Sequence, residues 1–470
     1  MSSNPSNVLI VYTDQWRWDA LGCLGSPALT PAIDGLAARG VLFDHAFVQS
    51  PVCMPSRVSM LTGQYPSSLG ITQMGVPVPE ATETIASVVR RRGWHTANIG
   101  KLHFQPHANR DHTLPHPSYG FDDLVLSEEP GVYDDDYLAW VRAINPGAAE
   151  KVGAGLPPAA VTWRSALGIA APAKGTDEAR DDYAGVRVFD APAELTHSAW
   201  VATRTIDHLN SLGANEPSLT IASFFSPHSP YHVPQQYLDL YDRDSLPLPA
   251  LTDADRAQQV DQGITDDHLR TIRHGYYAAI SEVDHHVGRI LETLESLGRA
   301  DNTIVVFVAD HGEWLGDHLR FAKGFPADDP ISRVPLIFCW PRGINDPGRT
   351  VSSIVEAVDI APTILDLIGI PIPTPMQGQS LRENLTTIEV PARQLEVGIT
   401  EHQGWRSMRT ATHRYIIRAD GTEHLWHVAD DPTNATEVTD DRDALLATHR
   451  KLLLRHTLAI ERTHPRTWAY

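Results

Sequence analysis

The sequence predicts an α/β fold: a large, mainly parallel sheet sandwiched by helices, followed by a smaller C-terminal α+β subdomain. Two observations predict the large sheet. Short apolar runs rich in β-branched residues alternate with segments of helical periodicity, and several of these runs end in polar residues. A third observation predicts the subdomain, because short alternating segments replace the continuous apolar runs in the C-terminal part.

The N-terminal part of the chain already alternates strands with helices. Residues 7–13 form a continuous apolar run, which is typical of a strand buried on both faces. Gly40, Gly63 and Gly93 each follow an apolar periodic segment and suit the ends of helices. We therefore expect strands over residues 7–13, 41–48 and 94–99, and helices over residues 31–39, 55–62 and 82–92.

The stretch 105–192 lacks periodicity and is rich in Pro, Gly, His and Asp, so we expect long loops over the active face. Regular elements then resume. We expect helices over residues 193–212, 266–297 and 359–368, and strands over residues 218–225, 303–309 and 335–340. These elements assign residues 1–380 to the main domain and residues 381–470 to a subdomain with a short antiparallel sheet and a terminal helix.

The composition is that of an ordinary globular protein with an acidic excess. The 470 residues carry 38 Lys and Arg against 58 Asp and Glu, a formal net charge of −20. This balance argues against nucleic-acid binding, and no apolar run reaches the length of a membrane span. The N-terminus does not resemble a secretory leader, and three cysteines are too few for a disulfide framework. We expect a cytoplasmic protein, with Cys23 and Cys339 in the core.

Cys53 lies in the segment that predicts the most chemistry. Pro55 suits the first position of a helix, which places Cys53 just before a helix N-terminus. Free N–H groups and the positive end of the helix dipole favour an anion there, and Arg57 adds a fixed positive charge. We expect the pKa of the Cys53 thiol to be lowered, which would make the thiol reactive.

Several polar side chains follow directly after predicted strands. In open α/β sheets, ligands bind at the edge formed by the carboxyl ends of the strands. The sequence therefore predicts that one site collects these residues, and that it forms a local basic pocket in an acidic chain. The residues are Asp14, Lys101, His103, His228, Asp310 and His311.

Two of these segments resemble the motifs of the sulfatase family. Cys53, Pro55 and Arg57, followed by Thr62-Gly63, resemble its Cys-x-Pro-x-Arg signature, and the Asp-His-Gly-Glu run that begins at Asp310 resembles a second motif. The resemblance implies an alkaline phosphatase-like fold and hydrolysis of a small organic sulfate monoester to alcohol and inorganic sulfate. It also implies that a formylglycine-generating enzyme binds the chain transiently and oxidises Cys53 to formylglycine, whose hydrated aldehyde is the nucleophile.

The resemblance further implies one divalent metal ion, held by Asp14, Asp310, His311 and an oxygen of the modified Cys53. Many sulfatases have two consecutive acidic residues after the first strand, whereas this chain has Asp14 followed by Gln15. Gln15 then binds the metal through its amide oxygen or orients a ligand. Because carboxylate, amide and imidazole together suit Mn²⁺ somewhat better than Ca²⁺, we favour Mn²⁺, with Ca²⁺ next.

The remaining motif residues receive their roles from the same resemblance. Lys101 would bind the sulfuryl oxygens, and His103 would take the proton from the hydrated aldehyde. Either His228 or Lys323 would protonate the departing alcohol. Arg57 would hold the second hydroxyl of the diol and share the developing charge.

Two other functions remain open. Phosphonate monoester or phosphodiester hydrolases also use formylglycine and share the Asp-Gln-Trp-Arg run at residues 14–17, but the intact Lys101-x-His103 pair favours a sulfatase. A catalytically inactive scaffold protein is the third interpretation, and the occupied catalytic positions argue against it. The sequence leaves the sulfated alcohol and the oligomeric state open, although the terminal helix and the tail to Tyr470 would suit a homo-oligomer contact.

Overall fold

A nine-stranded sheet forms the centre of the computed structural model, which describes residues 5–107, 112, 114–153, 155, 186–387 and 395–461. Its strands are β1 (Asn7–Thr13), β2 (Val41–Phe47), β3 (His95–Gly100), β4 (Asp123–Leu126), β6 (Ser218–Phe224), β8 (Thr303–Ala309), β9 (Arg333–Cys339), β10 (Arg349–Val351) and β11 (Val355–Glu356). The strand order is β10-β2-β9-β8-β1-β6-β3-β4, and β11 also pairs with β2. Strand β9 runs antiparallel to both of its neighbours, and the other pairs are parallel. The mainly parallel sheet is thus confirmed.

Helices cover the two faces of this sheet, whose central strands β1, β6, β8 and β9 are buried at every position. Burial on both faces explains why these strands are continuous apolar runs. The α-helices are α1 (Pro31–Arg39), α2 (Cys53–Thr62), α3 (Pro66–Leu69), α4 (Ile85–Arg90), α5 (Asp136–Ile144), α6 (His197–Ser211), α7 (Gln235–Leu238), α8 (Asp253–Asp261), α9 (Asp266–Ser296), α10 (Asp329–Ser332), α11 (Ile360–Leu367), α12 (Arg382–Thr386) and α13 (Arg442–Ala459). Among the described residues, none of these helices combines the length and the hydropathy needed to cross a bilayer.

A separate antiparallel sheet follows in the C-terminal part, as predicted. Its strands are β12 (Gly398–His402), β13 (Trp405–Arg409), β14 (Arg414–Arg418) and β15 (Glu423–Trp426), in sequential order. Ile399, Met408, Tyr415 and Leu425 of this sheet are fully buried and share an apolar cluster with Leu446 of α13. We keep residue 380 as the proposed boundary between the main domain and this subdomain.

The small sheet is bonded to the segment that precedes Cys53. The Thr400 hydroxyl donates to the Val48 carbonyl at 2.7 Å, and the Glu401 amide donates to the Gln49 carbonyl at 2.8 Å. The subdomain therefore supports the chain just before it enters α2.

The expectation of loops throughout residues 105–192 is wrong in part. Strand β4 and helix α5 form there, together with β5 (Val186–Val188), which pairs with β7 (Tyr231–Val233). Asp135 caps α5 by accepting a hydrogen bond from the Leu138 amide, a local signal that the loop composition hid. Residues 156–185 of this stretch lie outside the described residues. Cys339 is buried as expected, whereas the expectation for Cys23 is wrong, because its side chain is exposed.

Candidate active site

The carboxyl ends of β1 and β8 meet the N-terminus of α2 in a buried group of potential ligands. Asp14 follows β1, Asp310 and His311 follow β8, and Cys53 begins α2. One ligand atom from each lies within 4.8 Å of the others, and all four side chains are buried. The sheet geometry therefore assembles residues that are 296 positions apart in sequence (310 − 14).

The Cys53 thiol lies between positive and negative groups. Its sulfur accepts a hydrogen bond from Lys323 Nζ at 2.7 Å, and it lies 3.2 Å from His311 Nε2 and 3.7 Å from Asp14 Oδ1. Burial, followed by the charge of Asp14, raises the pKa of the thiol to about 12 against the opposing effect of Lys323 and Lys101. The expected lowering of this pKa is wrong, because Cys53 is the first residue of α2 and is completely buried.

Arg57 holds the two carboxylates of the site in place. Its Nε donates to Asp310 Oδ2 at 2.7 Å, and its Nη2 approaches Asp14 Oδ2 at 3.4 Å. Its Nη1 donates to the Lys101 carbonyl and to the Ser223 hydroxyl, each at 2.9 Å. Because these bonds engage Nε and both terminal nitrogens, binding of a hydroxyl of residue 53 by Arg57 stays a prediction.

Lys101 and Asp14 form a second buried ion pair. Lys101 Nζ lies 2.8 Å from Asp14 Oδ2, and both side chains are 1% exposed or less. Burial alone would lower the pKa of Lys101, but Asp14 beside it raises this pKa above its usual range. Burial alone would raise the pKa of Asp14, but Lys101, followed by His228 and Lys323, holds it well below its usual range. Both groups are therefore charged at neutral pH.

Taken together, these side chains make a locally positive site. Arg57, Lys101 and Lys323 contribute three positive charges against two negative charges from Asp14 and Asp310, which leaves +1 (3 − 2). The chain as a whole carries −20. An anionic group is therefore attracted to this site against the field of the rest of the molecule.

His311 presents a lone pair to the centre of the site. Its Nδ1 lies 2.8 Å from the Gly312 carbonyl, which fixes the proton on Nδ1. Nε2 therefore faces Cys53, and it lies 3.5 Å from Asp14 Oδ1 and 3.7 Å from Asp310 Oδ1. A neutral imidazole with a carbonyl behind it is the usual arrangement of a metal-binding histidine.

Gln15 adds an amide oxygen next to these groups. Its backbone amide donates to Asp310 Oδ1 at 3.1 Å, and its side-chain Nε2 donates to Glu313. Burial raises the pKa of Glu313 to about 7. The Oε1 atom of Gln15 is buried and has no hydrogen-bond partner among the described residues. Two carboxylates, one imidazole and this unpartnered oxygen fit a divalent metal ion.

Lys323 contacts both Cys53 and His228. Lys323 Nζ lies 2.8 Å from His228 Nε2, and His228 Nδ1 lies 2.5 Å from the Ser229 carbonyl. The carbonyl fixes the His228 proton on Nδ1, so Nε2 accepts from the Lys323 ammonium. The sequence predicted both residues at the site, but not the bond between them.

His103 lies beside the site without touching Cys53. Its ring stacks on His107 with a centroid separation of 4.5 Å, and its backbone amide donates to Glu128 at 3.0 Å. Its Nδ1 is buried without a hydrogen-bond partner, and no hydrogen bond links it to Cys53 within the described residues. Burial, followed by the charges of His107 and Lys101, lowers its pKa well below the usual range. Its catalytic role stays a prediction.

Three contributors to the site were missed in the sequence. Ser223 at the end of β6 accepts from Arg57, the Ser56 hydroxyl donates to the Asp310 carbonyl at 2.5 Å, and Glu128 holds the backbone of His103. The position of Ser223 near a strand end was a usable signal. Ser56 and Glu128 carry no pattern that separates them from other polar residues.

Comparison with known proteins agrees with this geometry. The sequence model of the Sulfatase family matches residues 6–370, and the model described as N-sulphoglucosamine sulphohydrolase, C-terminal, matches residues 316–445. An arylsulfatase of Clostridium perfringens is 30% identical over 405 residues, which span 80% of this chain and 78% of the relative. An ulvan-active sulfatase of Formosa agariphila is 29% identical over 439 residues, which span 91% of this chain and 75% of the relative.

Among solved structures, a phosphonate monoester hydrolase of Agrobacterium radiobacter is similar over 97% of this chain and 96% of its own, with a TM-score of 0.78 and 26% identity. This likeness confirms the expected alkaline phosphatase-like architecture. The match over residues 6–370 covers more than half of the chain and includes every residue of the site described above. The chain belongs to the sulfatase family and is a sulfuric ester hydrolase.

Proposed function

We propose that this protein hydrolyses a small organic sulfate monoester to alcohol and inorganic sulfate, with a formylglycine made from Cys53 as the nucleophile. The observation that carries the proposal is the position of residue 53. Lys323 contacts its sulfur, and Lys101 is bound to the adjacent Asp14. A tetrahedral dianion or monoanion bound at residue 53 would be stabilised by these two ammonium groups.

One divalent metal ion belongs to this proposal. Asp14, Asp310, His311 and the modified residue 53 would hold it, with the orphan oxygen of Gln15 as a further ligand. When bound, the ion polarises the nucleophile oxygen and a non-bridging oxygen of the ester. The imidazole and the amide favour Mn²⁺ over Ca²⁺.

The protein's own side chains account for the proton movements of the cycle. One hydroxyl of the hydrated formylglycine gives its proton to an adjacent carboxylate, Asp14 or Asp310, and attacks sulfur, and the bond from sulfur to the alcohol oxygen breaks. Lys323 is the better candidate to protonate that oxygen, because His228 carries its proton on Nδ1, against the Ser229 carbonyl. His103 then takes the proton of the second hydroxyl, sulfate leaves, and the aldehyde is restored.

The nearest alternative is hydrolysis of a phosphonate monoester or a phosphodiester. The likeness to the Agrobacterium radiobacter enzyme favours it, and the Asp-Gln-Trp-Arg run at residues 14–17 agrees. The Lys101-x-His103 pair favours the sulfatase instead, because both residues are present and buried, and Lys101 contacts Asp14.

Turnover of matched substrates decides between the two functions. The protein is made in a host with the modifying enzyme, conversion of Cys53 is measured by peptide mass spectrometry, and kcat/KM is compared for an aryl sulfate and an aryl phosphonate. We expect the sulfate to be preferred and the Cys53→Ala variant to be inactive on both. A preference for the phosphonate by several orders of magnitude would overturn the proposal.

We also propose that the protein acts in the cytoplasm. Cys23, Cys53 and Cys339 are all free thiols, which agrees with a reducing compartment. Fractionation of the native host with a specific antibody tests this location, and recovery of the protein from a secreted fraction would contradict it.

A further inference from the structure

A second group of potential metal ligands lies at the sheet edge opposite to the candidate active site. His95 begins β3, Asp123 begins β4, and His208 lies on α6. One ligand atom from each lies within 4.8 Å of the others. We propose that these three side chains bind a divalent transition-metal ion, for which Zn²⁺ has the most suitable chemistry.

The distances fit a tetrahedral ion. His95 Nε2 lies 2.7 Å from Asp123 Oδ2, and His208 Nδ1 lies 3.7 Å from the same oxygen. Two ligands that are both bound to zinc in tetrahedral geometry lie roughly 3.4 Å apart. The observed separations lie on either side of this value, so small side-chain rotations would complete the site.

His208 is the strongest indication that a ligand is needed. Its side chain is only 8% exposed, and its ring makes no hydrogen bond with any described residue. Nε2 is buried without a partner, and Nδ1 points towards Asp123 at a distance too long for a hydrogen bond. A buried imidazole that makes no hydrogen bond is unfavourable, and a metal ion bound at Nδ1 would satisfy that nitrogen.

Glu216 supports His95 from behind. Its Oε1 lies 3.3 Å from His95 Nδ1, on the side of the ring away from Asp123. If a metal replaced the proton that Nε2 shares with Asp123, the Glu216 carboxylate would hold the remaining ring proton on Nδ1, as in the carboxylate–histidine–metal arrangement. The Asp123 side chain is 48% exposed, so solvent reaches the site and water can supply the fourth ligand.

The ion would have a structural role. Strand β4 is the edge of the main sheet and pairs only with β3 within the described residues. A metal bound by His95, Asp123 and His208 would join this short edge strand, its neighbour and α6 at one point. The site shares no ligand with the candidate active site, so the proposal of a metal here does not depend on the proposed function.

Zinc stoichiometry tests the proposal. Chelator-treated full-length protein is titrated with Zn²⁺ by calorimetry, and the bound metal is counted after gel filtration. The Asp123→Asn and His208→Ala variants should each bind one equivalent less than the wild type. The matched control His285→Ala, which removes an exposed histidine of α9, should bind as the wild type does. Glu216→Gln should weaken the affinity about 10-fold or more without changing the stoichiometry.

Two further measurements make the outcome decisive. Asp310→Asn should lose zinc at the active site and keep the equivalent assigned here, which separates the two sites. Co²⁺ should give a tetrahedral absorption spectrum that Asp123→Asn abolishes while its circular dichroism stays that of the wild type. Equal zinc stoichiometry in the wild type, Asp123→Asn and His208→Ala would overturn the proposal and leave His95 and Asp123 as a hydrogen-bonded ion pair.

Discussion

Replacement of Lys323 by methionine tests how the oxygen of the departing alcohol is protonated. Lys323 Nζ contacts both Cys53 Sγ at 2.7 Å and His228 Nε2 at 2.8 Å, so the substitution removes the ammonium and nearly preserves the side-chain length. Loss of a general acid lowers rates by about 10²–10⁴. For a poor leaving group we therefore expect kcat/KM to fall by this factor, equivalent to about 2.7–5.5 kcal/mol of transition-state stabilisation.

The assay is a series of sulfate esters whose alcohols range from acidic nitrophenols to weakly acidic alkyl alcohols. An acidic phenol leaves without protonation, so the loss in Lys323→Met should be small for nitrophenols and should grow with the pKa of the alcohol. Lys451→Met, which changes an exposed lysine of α13, should match the wild type throughout. Equal losses of kcat/KM across the series, with Cys53 fully converted, would refute proton donation by Lys323. They would indicate that its charge only binds the substrate.

The other predictions concern stability and the support of the site. Arg57→Gln leaves the buried Asp310 without its cation, while Asp14 keeps Lys101, and should lower the free energy of unfolding by about 3–5 kcal/mol in denaturant titrations. An unchanged midpoint would contradict this. His286 is buried with its pKa lowered to about 3, so its neutral form contributes stability above pH 6.5. The free energy of unfolding should therefore fall by about 2 kcal/mol between pH 7 and pH 5, and this fall should be absent in His286→Gln. Asp329 pairs with Arg409 and Arg414 of the small sheet, so Asp329→Ala should speed amide exchange in β13 and β14 before other strands, as mass spectrometry would detect.

Elements with a strong local signal were predicted closely. Strand β8 (Thr303–Ala309) and helix α1 (Pro31–Arg39) have the predicted bounds, because a continuous β-branched run and a proline-to-glycine helical segment leave few alternatives. Strand β4 (Asp123–Leu126) was missed, since it is short, lies at the sheet edge and begins with an aspartate. Its formation depends on pairing with β3, and such a long-range contact is not encoded in a single short segment.

For the candidate site, the sequence predicted which residues meet but not the environment that surrounds them. The motifs predicted that Asp14, Cys53, Asp310 and His311 meet, and the structure brings them together. The pKa of Cys53 was predicted in the wrong direction, because helix position is visible in a sequence but complete burial is not. The hydrogen bond between Lys323 and His228 was also missed, since it depends on how two separate loops face each other.

The burial of Cys53 bears on when this residue can be modified relative to folding. Every residue of α2 is buried, and β12, from near the C-terminal end, bonds the backbone just ahead of this helix. An enzyme that must bind this segment to oxidise the thiol cannot reach it in the folded protein. The conversion of Cys53 that we propose would therefore precede the bonding of β12 to residues 48 and 49. A purified, folded precursor should resist the modifying enzyme until it is unfolded.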